Sequence, residues 1–317
     1  MIDLAKFLFY ISIAAILAIN CLAAALSTSL ANAAAIRAME FQPSAQESIN
    51  KISILGTVLL ETSVILSLVM TIILLFGDTT ALTINIYSSI ATVGLAIAVS
   101  ISGAIVSIAS HWPLKEACMS VARQPFFAGK IQQILLLSQS LTQSPIIFGF
   151  LIALIIKNEL NNINTLDGAL RYLAAGICMG VGSLGPAIGL GTFAAAACKG
   201  VGYNKRAFGK ILTFTFLSEA IIETPLIFAF LISALMLTPL IKSGAIGLVA
   251  AVCMAIGTLT PGISSGNVSA QACEQISKDM ENTSIYRRVS LFSQGLIDTM
   301  TIYALLISLL LIITVQF

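Results

Sequence analysis

Eight stretches of this chain are long and apolar enough to cross a lipid bilayer: 7–35, 52–76, 84–110, 131–156, 168–197, 207–238, 244–272 and 289–316. A helix needs about 20 apolar residues to span the hydrocarbon core. Lipid offers no partners to backbone N–H and C=O groups, so a spanning segment is a helix or part of a closed barrel. Strand-like alternation is absent, and the expectation is an all-α membrane protein with eight transmembrane helices. Composition agrees: 58% of the 317 residues are hydrophobic and 9% are charged, against about 25% charged in soluble domains. The N-terminal run "AINCLAAALSTSLANAAA" has the look of a cleaved leader, but it is read as the first helix of the mature protein.

Charge is unevenly placed. Of the 16 Lys and Arg residues, twelve fall in the links between helices one and two, three and four, five and six, and seven and eight, among them Arg37, Lys115, Lys130, Lys199, Lys205, Arg287 and Arg288. Lys6, Lys157, Arg171 and Lys242 are the remainder. By the positive-inside rule, the four basic links face the cytoplasm and both termini the opposite side. The basic residues are spread over loops without an aromatic platform, which argues against nucleic-acid binding. Six scattered cysteines form no C-x-x-C pair and have no His partner, so no metal site is expected.

Internal repetition organises the rest. The even-numbered helices align on "ETSVIL" from Glu61, "QSPIIF" from Gln143, "ETPLIF" from Glu223 and "DTMTIY" from Asp298. Each has an acid or amide, then a hydroxyl (Thr62, Ser144, Thr224, Thr299), and an apolar or aromatic residue five positions on, which is Tyr303 in the last copy. Eighteen positions before each anchor lies a loop residue: Pro43, Pro125, Lys205 and Met280. The chain therefore reads as four tandem helical hairpins, at 1–79, 80–162, 163–240 and 241–317. Odd-numbered helices are rich in Gly, Ala and Ser, most of all around Gly180, Gly182, Gly185, Gly189 and Gly191. Small residues let membrane helices approach closely.

An ionisable side chain at membrane depth is costly and marks a functional site. Glu61, Glu223 and Asp298 are the candidate ion-binding residues. Gln143 stands at the same place in the second repeat and has no proton to exchange, so that position reads as silent. Glu219 lies four residues before Glu223, on the same helix face. Thr57, Gln139 and Gln294 occupy the equivalent place elsewhere, so Glu219 is read as an auxiliary group.

These features together resemble the c-subunit, or proteolipid, of rotary ATP synthases, a helical hairpin with a glycine-rich first helix and one essential carboxylate in the second. "VARQPFFAGK" contains the family's polar loop in Arg123, Gln124 and Pro125; "GSLGPAIGLG" resembles its glycine motif, and "SEAIIETPLIFAFLISALML" its carboxylate helix. Repeats two and three are the clearest copies, and repeats three and four lack the Arg-Gln-Pro loop. The resemblance implies a homo-oligomeric ring in the lipid bilayer. It also implies a static partner with an essential Arg, central-stalk subunits at the basic loops, and catalytic sites on other subunits. The transported ion would be the proton, with no cofactor, in an energy-coupling membrane such as the bacterial inner membrane. Sodium-binding members add a Gln on the first helix; 33 residues before each anchor this chain has Thr28, Ser110, Leu190 and Ser265, which favours the proton and leaves sodium as the alternative. A vacuolar-type proteolipid is the near alternative, and a secondary transporter or a structural scaffold is the distant one.

Overall fold

The computed structural model describes residues 2–77, 84–238, 241 and 243–314. Lys242, the junctions expected at 79–80 and 240, and the end of the last run lie outside the described residues. Among the described residues, eight helices are long and apolar enough to cross a membrane: α1 (Leu4–Phe41), α2 (Pro43–Phe76), α3 (Ile86–Arg123), α4 (Pro125–Asn162), α5 (Leu166–Tyr203), α6 (Lys205–Met236), α7 (Gly244–Lys278) and α8 (Thr283–Thr314). Among the described residues there is no strand.

The helices outrun the apolar stretches. α3 is 38 residues long, or about 57 Å at 1.5 Å per residue, whereas the hydrocarbon core is about 30 Å thick. The extra turns lie mostly on the side of the basic loops, where α1, α3 and α5 run on to Phe41, Arg123 and Tyr203. Their polar stretches, such as "LKEACMSVAR", are made of good helix formers, and water can solvate them.

Connections on this side are tight. Single residues Gln42, Gln124 and Asn204 lead into three-residue 3-10 turns at Pro43–Ala45, Pro125–Phe127 and Lys205–Ala207. Pro43 and Pro125 suit the first position, where an N–H would have no partner. The fourth connection is closed by Asp279, whose carboxylate accepts from the backbone of Glu281 and Asn282, from Asn282 Nδ2 at 2.7 Å and from Tyr286 Oη at 3.1 Å. The Asn282 bonds above all hold the Asp279 carboxyl below the ordinary carboxylate range.

Packing sorts the helices into two rows. α1, α3, α5 and α7 stand side by side in that order, and α2, α4, α6 and α8 form a second row against them. The glycines decide which helices come closest. A Cβ on Gly180 or Gly191 would meet the backbone of α3 at Ile97 or Ala109, and one on Gly185 or Gly189 would meet α7 at Leu259 or Gly262. Gly182 faces Ala229 of α6 instead. α5 is interrupted at Ser183, and Pro186 removes an N–H from its ladder; Thr258 Oγ1 of α7 donates to the freed Gly182 carbonyl at 3.0 Å. Neighbouring hairpins are stitched at equivalent heights: Ser120 Oγ donates to Cys198 O, Gln124 Nε2 to Gly202 O and Asn204 Nδ2 to Ser277 O, at 2.9–3.0 Å. α3 and α5 are covered on both sides, and α1, α2, α7 and α8 leave large apolar side chains exposed at the two ends of the rows. Two apolar clusters fill the interior: one includes Phe9, Leu74, Ile146, Leu226 and Met236, the other Ile49, Leu114, Ile131, Ile222 and Ile276. The anchors fall between them.

Candidate functional site

The four anchors occupy equivalent repeat positions on the helices of the outer row. At two of them a single turn residue interrupts the helix: Gln46–Leu60 and Thr62–Phe76 meet at Glu61, and Ala128–Thr142 and Ser144–Glu159 meet at Gln143. Pro145, two residues past Gln143, removes an N–H there. Around Glu223 the helix is continuous despite Pro225, and it is continuous through Asp298.

Gln143 is 5% exposed and lies in a complete site. Its Oε1 accepts from Thr62 Oγ1 of the preceding hairpin at 2.7 Å, and its Nε2 donates to Ser110 Oγ of its own inner helix at 3.2 Å. The Thr62 proton is shared with Leu59 O, also at 2.7 Å. The pocket is thus built by two neighbouring hairpins and filled by the amide. In the other repeats the same place is less satisfied. Glu61 is exposed at the end of the row, and Thr28 Oγ1 behind it has no hydrogen-bond partner among the described residues. Glu223 is half-buried; its inner-helix counterpart Leu190 is fully buried, and Ser144 Oγ of the preceding hairpin has no partner among the described residues. Asp298 is 8% exposed, and Asp298 Oδ1, Ser265 Oγ and Thr301 Oγ1 have none either. The hydroxyls of Thr224 and Thr299 donate to their own helix, to Ala220 O and Leu296 O. Tyr303 is exposed and makes no hydrogen bond among the described residues.

One turn toward the basic loops lies a second polar layer. Thr57 Oγ1 donates to Asn32 Oδ1, and Gln139 Nε2 to Ser110 O at 3.0 Å. Gln294 Nε2 donates to Ser290 Oγ at 3.1 Å and Ser218 Oγ at 3.4 Å. Glu219 is fully buried with neither oxygen hydrogen-bonded among the described residues, and Ser138 Oγ is likewise without a partner. An isolated ionised carboxylate is not tolerated in such a place, so the group must be neutral or beside a cation. The residues five before each anchor, Ser138 and Ser218 among them, escaped the sequence reading, although their repeat offset of 80 was available as a signal.

At the loops, Arg123 stacks over the Tyr203 ring at 4.7 Å. Arg123, Gln124, Pro125, Lys205 and Arg206 help line a recess of about 620 Å³. Four cysteines (Cys118, Cys178, Cys198, Cys273) are buried, and no disulfide or cluster of potential metal ligands occurs among the described residues.

The family model for the C-subunit of ATP synthase matches twice, at residues 173–236 and 248–311. The matches fall on the third and fourth hairpins, whereas the sequence motifs pointed most clearly to the second and third. The second hairpin has the loop motif, but it lacks the acid and has a serine-rich inner helix. The ATP synthase c-subunit of Thermotoga petrophila is 41% identical over 54 residues, 17% of this chain and 64% of the relative. That of Campylobacter fetus is 46% identical over 59 residues, 19% of this chain and 59% of the relative. For Campylobacter lari the figures are 43% over 66 residues, 21% and 62%. The chain therefore spans less than two thirds of the length of each of these relatives. The third and fourth hairpins thus each carry, in tandem, a segment similar to the C-subunit of ATP synthase.

Proposed function

We propose that this protein is the rotor subunit of a rotary ATP synthase, in which several copies close into a ring that carries protons on Glu61, Glu223 and Asp298. One observation supports the reading: Gln143, which stands where the sequence repeat has Glu61, Glu223 and Asp298, is held between two adjacent hairpins by Thr62 and Ser110. A carboxylic acid in that pocket keeps its proton while it faces lipid, because the ionised form is costly there. It releases the proton only where a static partner offers a water path and a cation, an Arg by chemistry. Rotation follows from that alternation. Gln143 has no proton to release and passes the partner without contributing.

Each hairpin would be one repeat of the rotor, divided near 79, 162 and 240. Glu219 would assist Glu223 as a hydrogen-bonding neighbour one turn away. The basic loops, led by Arg123, Gln124 and Pro125, would face the cytoplasm and hold the central stalk, with both termini on the other side of an energy-coupling membrane, the inner membrane in a bacterium. ATP chemistry would take place on other subunits. Leu190 beside Glu223 supplies no oxygen, and a sodium ion requires several, which favours the proton.

The test is Glu223→Gln in the assembled complex. ATP-driven proton pumping, read as quenching of a pH-sensitive dye in vesicles, is expected to fall to background while ring assembly is unchanged. Pumping at the original rate would remove Glu223 from the transport path.

A further inference from the structure

Six positions before the four loop residues Pro43, Pro125, Lys205 and Met280, the inner helices carry Arg37, Met119, Lys199 and Glu274. Equivalent heights on adjacent inner helices are brought together in this fold, and here that juxtaposition is ionic: Lys199 Nζ of α5 lies 2.9 Å from Glu274 Oε1 of α7. It is the ion pair among the described residues. The two side chains keep 35% and 29% of their surface, in a recess lined also by Gly200, Tyr203, Ser277 and Lys278 of the same two helices. α1 and α7 are the two ends of the inner row. Arg37 is exposed at one of them and makes no ion pair among the described residues.

We propose that Glu274 is the acid that fixes the order in which copies join, binding Lys199 of its own chain and Arg37 of the next copy at once. The proposal rests on the ring reading above. A second copy added by repeating the packing of α5 on α7 sets its α1 beside α7, and so places its Arg37 at the height of Glu274. Lys199 engages one carboxylate oxygen, and the guanidinium of Arg37 is suited to the same carboxylate. The other two ways of joining ends are penalised, since α1 against α1 sets Arg37 against Arg37 and α7 against α7 sets Glu274 against Glu274. Head-to-tail contact is also the heterologous type that closes into rings.

The loops point the same way. Gln124 and Asn204 each donate an amide hydrogen to the end of the following inner helix. At the corresponding place in the last hairpin stands Asp279, a carboxylate that accepts from its own loop and has no hydrogen to give to a neighbour. The contact between chains thus lacks the amide stitch used between the second and third and between the third and fourth hairpins, as does the junction of the first and second, where Gln42 donates to Ser44 of its own loop; between chains an ionic link of opposite signs is available instead. An exposed ion pair adds little binding free energy, so its effect is on which edges meet.

The test uses the full-length chain in native membranes. Arg37→Cys/Glu274→Cys is treated with a short bis-maleimide beside each single variant, and the purified rings are imaged by electron microscopy. A ladder at multiples of the chain mass is expected from the double variant only. Intact rings without a ladder would overturn the proposal and leave the ring reading standing, as would a dimer from Arg37→Cys alone. Absence of rings from the unmodified chain would overturn both. A second experiment reverses charge. Arg37→Glu is expected to lower ring yield at low salt at least threefold, and Arg37→Glu/Lys199→Glu/Glu274→Lys to restore it. Undiminished yield from the first variant, or failure of the second to recover, would refute the role of Glu274.

Discussion

Glu219 and Glu223 stand one helical turn apart, yet their surroundings differ. Glu223 is half-buried on the outer row, within reach of whatever passes that face, whereas Glu219 is sealed between helices near Ser138. In the proposed rotor only Glu223 has access to a partner. Glu219→Gln keeps shape and hydrogen-bonding capacity, and proton pumping is expected to drop no more than a few-fold. A loss as complete as that of Glu223→Gln would make Glu219 a carrier. Gln143 gives the reverse case. Gln143→Glu places a carboxyl between Thr62 and Ser110, and its reaction with a carbodiimide should add one labelled site per chain, read by mass spectrometry of peptides. No added label would mean that the pocket does not admit a protonated acid. The anchors themselves were legible because a polar residue at membrane depth stands out against apolar neighbours. Their partners were not, since Thr62 and Gln143 are 81 residues apart and nothing periodic within one hairpin links them.

At the scale of helices, the division between small inner and bulky outer helices follows from volume. Gly185 and Gly189 face the carbonyl groups of α7 so closely that a Cβ would overlap Leu259 O or Gly262 O. Gly185→Leu or Gly189→Leu is expected to separate α5 from α7 and abolish assembly, as judged by native electrophoresis in mild detergent. Normal assembly of both variants would mean that close approach here is dispensable. Eight helices were readable from apolar length alone, because lipid leaves the backbone so few choices. Where they end was not, since the polar turns from 111 to Arg123 have helix propensity without the apolar signal. Pairings such as Lys199 with Glu274 needed the fold as well, for they depend on which helices become neighbours.

At the scale of the whole molecule, the covalent chain would set the unit of assembly of the proposed ring. A ring built from this protein alone must contain outer helices in multiples of four, and native mass spectrometry should give a mass that is a whole multiple of 33.3 kDa. A ring of any other helix count would require a second kind of protein in it. In the proposed rotor, three carboxyls in four hairpins would also carry fewer ions for each revolution than an unbroken series. The force needed to drive ATP synthesis in liposomes is then expected to fall when Gln143→Glu supplies the fourth, and an unchanged threshold with a labelled Glu would refute the silent reading. The amide pocket at Gln143 also has a mechanical meaning. In the proposed rotor, the ring would turn through two hairpin widths between one ion and the next at this position, and torque would arrive in uneven pulses. On the proposed reading, a shaft joining such a rotor to its load would act as a compliant spring, storing twist over the long interval and returning it smoothly.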